Sequence, residues 1–144
     1  MITNTKPNIV IDTNQFLSGF LYNGMMRPVF DLVLEGKLSL YASSALQAEI
    51  LQKLGDFGVA EKEQKEIMTF ITMTGIFREP AITITACRDQ KDNFLLELVE
   101  TAKADYLITR DKDLLALPKS RWKKTRILKP EDFLPILREK PLLQ

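Results

Sequence analysis

Asn8-Ile9-Val10-Ile11-Asp12-Thr13-Asn14 is the stretch that decides the fold. Its β-branched centre, Ile9-Val10-Ile11, is short, uninterrupted by polar residues and closed by an acid. Such a run predicts a strand buried on both faces, the kind found in parallel sheets rather than in half-solvated antiparallel ones.

The segments downstream alternate as a parallel sheet requires. Pro28 to Glu35 reads as a helix, opened by proline and stopped by Gly36. Leu38 to Ala42 is a second strand. Ser44 caps a further helix, with Gln47 completing a capping box and Leu46, Ile50, Leu51 and Leu54 forming its apolar face up to Gly55. Ala60 to Thr74 is a charged-then-apolar helix ending at Gly75, and Ile82 and Ile84 mark a short strand. Asp92 is a candidate N-cap for Asn93 to Lys103, where Phe94, Leu95, Leu98, Val99 and Ala102 share one helix face. Tyr106 to Thr109 and Arg126 to Leu128 are strands. Pro130 to Arg138 is a terminal helix whose Glu131 and Asp132 suit its dipole, with Lys140 to Gln144 frayed beyond it. This order predicts an α/β domain over residues 1–144, with a parallel sheet covered on both faces. Ligands in such sheets sit at the carboxyl ends of the strands.

Composition narrows the chemistry. The chain has 144 residues, 45% hydrophobic and 27% charged, which suits one globular domain. No apolar run approaches the roughly 20 residues of a membrane span. The polar start and the lone Cys87 point to a reducing, cytoplasmic setting, with Cys87 a small buried or half-buried residue. There is no histidine, so Ser-His-Asp and Cys-His catalysis and histidine-based zinc sites are excluded.

Carboxylates are what remain. Asp12 and Asp111 follow predicted strands, while Asp92 and Glu49 lie near helix starts that face the same edge of the sheet. Convergent carboxylates repel one another and need a cation between them. Without histidine that cation is a hard, oxygen-liganded one, Mg²⁺ or Mn²⁺. Such a centre activates water and neutralises charge on a scissile phosphate. Thr13 and Asn14 are placed either to hold a water or phosphate oxygen or to form a plain turn or cap. Asp113 is placed either to cap a short helix, Leu114 to Leu117, or to act as an extra ligand.

These segments carry a resemblance. Val10-Ile11-Asp12-Thr13-Asn14 resembles the opening motif of PIN domain nucleases. Ser43-Ser44-Ala45-Leu46-Gln47-Ala48-Glu49-Ile50 is similar to the second motif, and Arg88-Asp89-Gln90-Lys91-Asp92-Asn93-Phe94-Leu95 to the third. Ala104-Asp105-Tyr106-Leu107-Ile108-Thr109-Arg110-Asp111-Lys112-Asp113-Leu114-Leu115 is similar to the fourth. The resemblance runs from about Ile9 to Phe133 and is nearest to prokaryotic PIN proteins described as toxins of toxin–antitoxin pairs. It implies a three-layer α/β/α domain with a five-stranded parallel sheet, frequent homodimers and a metal-dependent ribonuclease activity on RNA. Asp12, Glu49, Asp92 and Asp111 match the family's acidic cluster, and Thr109 matches a hydroxyl position near the metal. An antitoxin protein is the partner implied for a toxin.

The segment after Pro118 is basic. Lys119, Arg121, Lys123, Lys124, Arg126 and Lys129 surround Trp122, with no acid from Ala116 through Pro130. Read functionally, Lys123, Lys124 and Arg126, with Arg110 and Lys112, contact phosphates while Trp122 stacks on a base. Read structurally, the segment is a solvated loop with Trp122 packed on the body. A catalytically silent, RNA- or partner-binding relative would break at least one acid, and none is broken. A receiver or aspartyl-phosphate phosphatase would need a second acid close after Asp12, and position 14 is asparagine.

Overall fold

A computed structural model of the chain describes residues 6–22 and 24–139. Strand β1 (Asn8–Ile11) is buried where the sequence placed it, and α1 (Thr13–Leu21) follows at once. Then come α2 (Arg27–Leu34), β2 (Ser39–Ala42), α3 (Ser44–Asp56), α4 (Glu61–Thr74) and β3 (Ile76–Phe77). The second half holds α5 (Gln90–Ala102), β4 (Tyr106–Ile108), α6 (Lys112–Leu115), β5 (Arg121–Trp122), β6 (Thr125–Leu128) and α7 (Pro130–Glu139).

The sheet order is β3-β2-β1-β4-β6-β5. Five strands run parallel, as expected, and β5 adds a sixth, antiparallel strand at the edge. A two-residue turn at Lys123-Lys124 makes that addition, too short a pattern for periodicity to reveal. Helices cover both faces, so Ile9, Val10 and Ile11 have no exposed surface.

Several boundaries differ from the sequence reading. Ile82 and Ile84 form no strand: the Ile84 N–H donates to the Glu97 carboxylate at 2.9 Å instead of to a neighbouring strand. The strand is Ile76–Phe77, directly after Gly75. Ser43, not Ser44, caps α3, accepting from the Leu46 N–H at 3.2 Å, while Ser44 is held by Glu79. Asp89, not Asp92, caps α5, accepting from the Lys91 N–H at 2.9 Å. That leaves Asp92 inside the first turn with its carboxylate uncommitted to capping. The fraying expected for Lys140 to Gln144 lies outside the described residues. No helix among the described residues is long and apolar enough to cross a membrane.

Helix α1 was not anticipated from the sequence, and its Gly19 is a packing requirement. A Cβ there would overlap the Phe30 ring and come within 2.8 Å of the Met26 Cβ. The gap admits Phe30 into an aromatic group, with ring centroids 4.6 Å from Phe20, 5.7 Å from Phe16 and 5.4 Å from Phe70. Gly19→Ala is expected to force α1 and α2 apart and cost about 1–3 kcal/mol, despite alanine's better helix propensity. Urea denaturation gives the answer: an unchanged or raised midpoint would show that the helices separate freely.

Candidate active site

The carboxyl edge of the sheet holds all four anticipated acids. Asp12 ends β1, Asp111 follows β4 by three residues, Glu49 lies in the second turn of α3, and Asp92 lies in the first turn of α5. Carboxylate oxygens of Asp92, Asp111 and Asp113 all lie within 4.8 Å of one another. Asp113 therefore belongs to the tightest group, and Asp12 and Glu49 stand beside it. Asp111, rather than Asp113, caps the next helix, accepting from the Leu114 N–H at 3.0 Å.

Two hydroxyls set the acids in place. Thr109 donates to Asp12 Oδ2 at 2.7 Å and accepts from the Asp111 N–H at 3.0 Å, tying the ends of β1 and β4 together. Thr13 donates to Glu49 Oε2 at 2.7 Å, tying α1 to α3. Both threonines have no exposed surface. Asn14 accepts from Lys53 Nζ at 2.9 Å, so its side chain is engaged by a lysine.

The electrostatics follow from the crowding. Burial raises the Asp12 pKa first of all; the Thr109 hydrogen bond opposes this, and the Glu49 charge adds to it. Asp92 is pushed up to about 7, by burial first and then by Asp111 and Asp89, with a hydrogen bond to Asp111 and the charge of Asp12 adding further. The half-exposed Cys87 thiol is pushed up as well, by burial and then by Asp92, Asp111 and Asp113. Each is raised in part by neighbouring carboxylates, as a crowded acidic edge requires.

The residues fit a hard divalent cation. Asp92 is 5% exposed, and its Oδ2 is buried with no hydrogen-bond partner among the described residues. A buried carboxylate oxygen is costly unless something positive faces it. All the donors are oxygens, as Mg²⁺ and Mn²⁺ prefer.

Some contributors escaped the sequence reading. Lys53 and Lys91 lie 3.8 and 3.6 Å from Glu49 Oε1. Lys53 was visible as the fourth residue after Glu49, an i,i+4 helix pair. Arg88 reaches both Asp113 oxygens at 3.1 Å, a contact that only the fold creates. Asn93 clamps the loop before α5, accepting from the Cys87 N–H at 2.8 Å and donating to its carbonyl at 3.0 Å. Beside the acids, a cleft of about 250 Å³ between α3 and α5 is lined by Ala45, Ala48, Leu46 and Phe94 and ends on Glu49 and Lys91.

The basic residues are less concentrated than expected. Arg110 is paired with Glu131 at 2.8 Å, and Lys112 is exposed beside Asp111. Lys123, Lys124 and Arg126 do not reach the carboxyl edge. Arg126 pairs in register with Tyr106, the first residue of β4, so the Lys123-Lys124 turn sits at the opposite end of the strands. Trp122 is half-buried against the core and donates to Glu100 at 3.2 Å, the packed alternative.

The fold and site together define an α/β domain with an acidic cluster at the carboxyl edge of a parallel sheet. The family model of the PIN domain matches residues 8–113, and the chain belongs to that family. PIN domains are generally nucleases that use divalent metal ions. Among solved structures, VapBC2 from Rickettsia felis bound to a DNA fragment from its promoter is similar, with a TM-score of 0.60 at 14% identity, covering 85% of this chain and 97% of that one. The PIN domain of T. brucei RRP44 is similar with a TM-score of 0.57 at 12% identity, covering 96% of this chain and 84% of that one. A search of curated proteins gives no match.

Proposed function

We propose that this chain is a divalent-metal-dependent endoribonuclease that hydrolyses phosphodiester bonds of single-stranded RNA. The observation that carries the reading is the gathering of the Asp92, Asp111 and Asp113 carboxylates within 4.8 Å of one another, with Asp92 Oδ2 buried and without a hydrogen-bond partner among the described residues. Asp92 and Asp111 are the central ligands in this reading, with Asp12 and Asp113 direct or water-mediated partners and Glu49 completing the cluster. When bound, Mg²⁺ or Mn²⁺ supplies an acidified water and neutralises charge on the scissile phosphate.

The protein's own groups do the rest. Thr109 holds Asp12 through its Oδ2, leaving the other oxygen free of that contact. Thr13, Lys53 and Lys91 hold Glu49 and reduce the net repulsion an incoming phosphate meets. The apolar cleft between α3 and α5, with Phe94 39% exposed, offers a stacking surface for the base beside the scissile phosphate. The resemblance to prokaryotic toxins extends the reading to a cytoplasmic homodimer restrained by an antitoxin protein.

The direct test is cleavage of an end-labelled, unstructured RNA with Mn²⁺, Mg²⁺ or EDTA. Internal cuts with either metal, abolished by EDTA and absent on DNA of the same sequence, are expected. Cleavage that survives EDTA, or none with either metal, would overturn the assignment.

A further inference from the structure

The β5–β6 hairpin breaks two local rules at once. Arg121 and Arg126 are directly opposite in the antiparallel register, so both guanidinium groups lie on one face of the ribbon. Both are exposed, and among the described residues no carboxylate pairs with either. Like charges in that position destabilise a hairpin. The turn between them places Lys123 at φ 54°, a left-handed conformation that glycine adopts without strain and lysine does not, and its ammonium pairs with Glu100 at 2.7 Å. Lys124 beside it is exposed. Choices that conflict with local stability mark sites kept for another purpose.

Guarding the sheet edge does not supply that purpose. Charged residues blunt long edge strands against pairing with other chains, but β5 has only two residues and offers little to pair with. The charges also continue past the hairpin. Lys119 precedes β5, and Lys129 follows β6, whose last residue accepts from the Thr109 N–H at 2.9 Å. Cations therefore line the outer edge from the Lys123-Lys124 turn to the carboxyl edge, along a strand that rises about 3.3 Å per residue. Residues 114–144, which contain this edge, lie outside the part matched by the family model.

We propose that the β5–β6 edge is a second RNA-contacting surface, remote from the acidic cluster, that grips the phosphate backbone of the same single strand a few nucleotides from the cut. It rests on RNA being the substrate. Guanidinium groups side by side suit phosphate oxygens, and an anion between Arg121 and Arg126 removes the repulsion that the free hairpin carries. The consequence is a length requirement: a short RNA reaches the acidic cluster alone, and a longer one gains the edge.

The test compares the parent with an Arg121→Ala, Lys124→Ala, Arg126→Ala triple variant on a 6-nucleotide and a 30-nucleotide RNA. Binding is measured in EDTA across a salt series, and cleavage with Mn²⁺. The triple variant is expected to bind the 30-mer at least about tenfold more weakly, with the salt slope flattened by about 2, at about 0.7 per lost contact. Its cleavage of the 6-mer should be unchanged, and its melting temperature equal or higher because the like-charge pair is gone. Unchanged 30-mer affinity and slope would overturn the proposal, as would equal losses on both lengths. Unchanged affinity with new self-association would mark the charges as edge guards, and tighter parental binding to duplex DNA of equal length would overturn the choice of RNA. If the parent binds with the expected slope but never cleaves, the nuclease reading fails while this surface stands; cleavage with an unchanged slope sinks only the surface.

Discussion

Asp92→Asn abolishes metal-dependent RNA cleavage and, without metal, makes the protein more stable at alkaline pH: that is the expected result with the largest effect. The substitution keeps the shape of the side chain and removes the charge that a cation would face. Losing a central ligand removes several kcal/mol of transition-state stabilisation, and each 1.4 kcal/mol is about tenfold, so activity should fall at least about 100-fold. Stability moves the other way because Asp92 is buried among acids and its pKa is raised to about 7. At pH 8 the parent carries that buried charge and the variant does not, so the variant should melt higher in EDTA. At pH 5 the folded parent has protonated Asp92, and the gap should narrow, closing only below the unfolded value of 3.8. Initial cleavage rates and melting curves at both pH values decide the matter. Full Mn²⁺-dependent activity in the variant would remove Asp92 from the centre.

The second large effect is a metal-induced rise in melting temperature whose size depends on pH. A cation bound only by the folded form contributes about 2.7 kcal/mol at 100 times its dissociation constant. In a domain of this size that corresponds to a rise of roughly 8 °C. The pH dependence has two opposite parts. Asp92 goes from 3.8 to about 7 on folding, so between those values the folded state holds a proton that the unfolded chain has released. Stability without metal therefore falls as pH rises through that window, and the raised Asp12 contributes with the same sign. Metal binding needs the ionised carboxylates, so affinity should climb about tenfold per pH unit up to about pH 7 for each proton displaced. Melting curves from pH 5 to 8, with Mn²⁺ and with EDTA, should diverge steadily. A metal shift that is largest at pH 5, or flat across the range, would show that Asp92 and Asp12 do not face the cation.

The outline of this fold was legible in short strings. The β-branched Ile9-Val10-Ile11 pointed to a strand buried on both faces, and the alternation after it pointed to a parallel sheet. The acids were legible for the same reason, because Asp12 and Asp111 follow strands and a parallel sheet presents its strand ends to one edge. Pro28, Gly36 and Gly75 marked helix ends through local backbone chemistry, which needs no partner. Capping was misplaced by a residue or more, Ser44 for Ser43 and Asp92 for Asp89, because adjacent polar side chains compete for the same N–H groups.

What the sequence determined by itself is whatever depends on near neighbours: the strand and helix types, the exclusion of histidine chemistry, and the order of the acids along the chain. Tertiary structure decided which acids meet. Asp113 joined Asp92 and Asp111 because α5 and the β4–α6 turn approach each other there, and no spacing along the chain encodes that distance. Arg88 met Asp113 across 25 residues for the same reason. The basic segment shows the contrast most plainly. Its charge was evident from composition, but its end of the sheet was set by the pairing of Arg126 with Tyr106 and by the turn back into β5. A one-dimensional string carries charge and periodicity; register and the meeting of distant segments arise only when the hydrophobic faces close on one core.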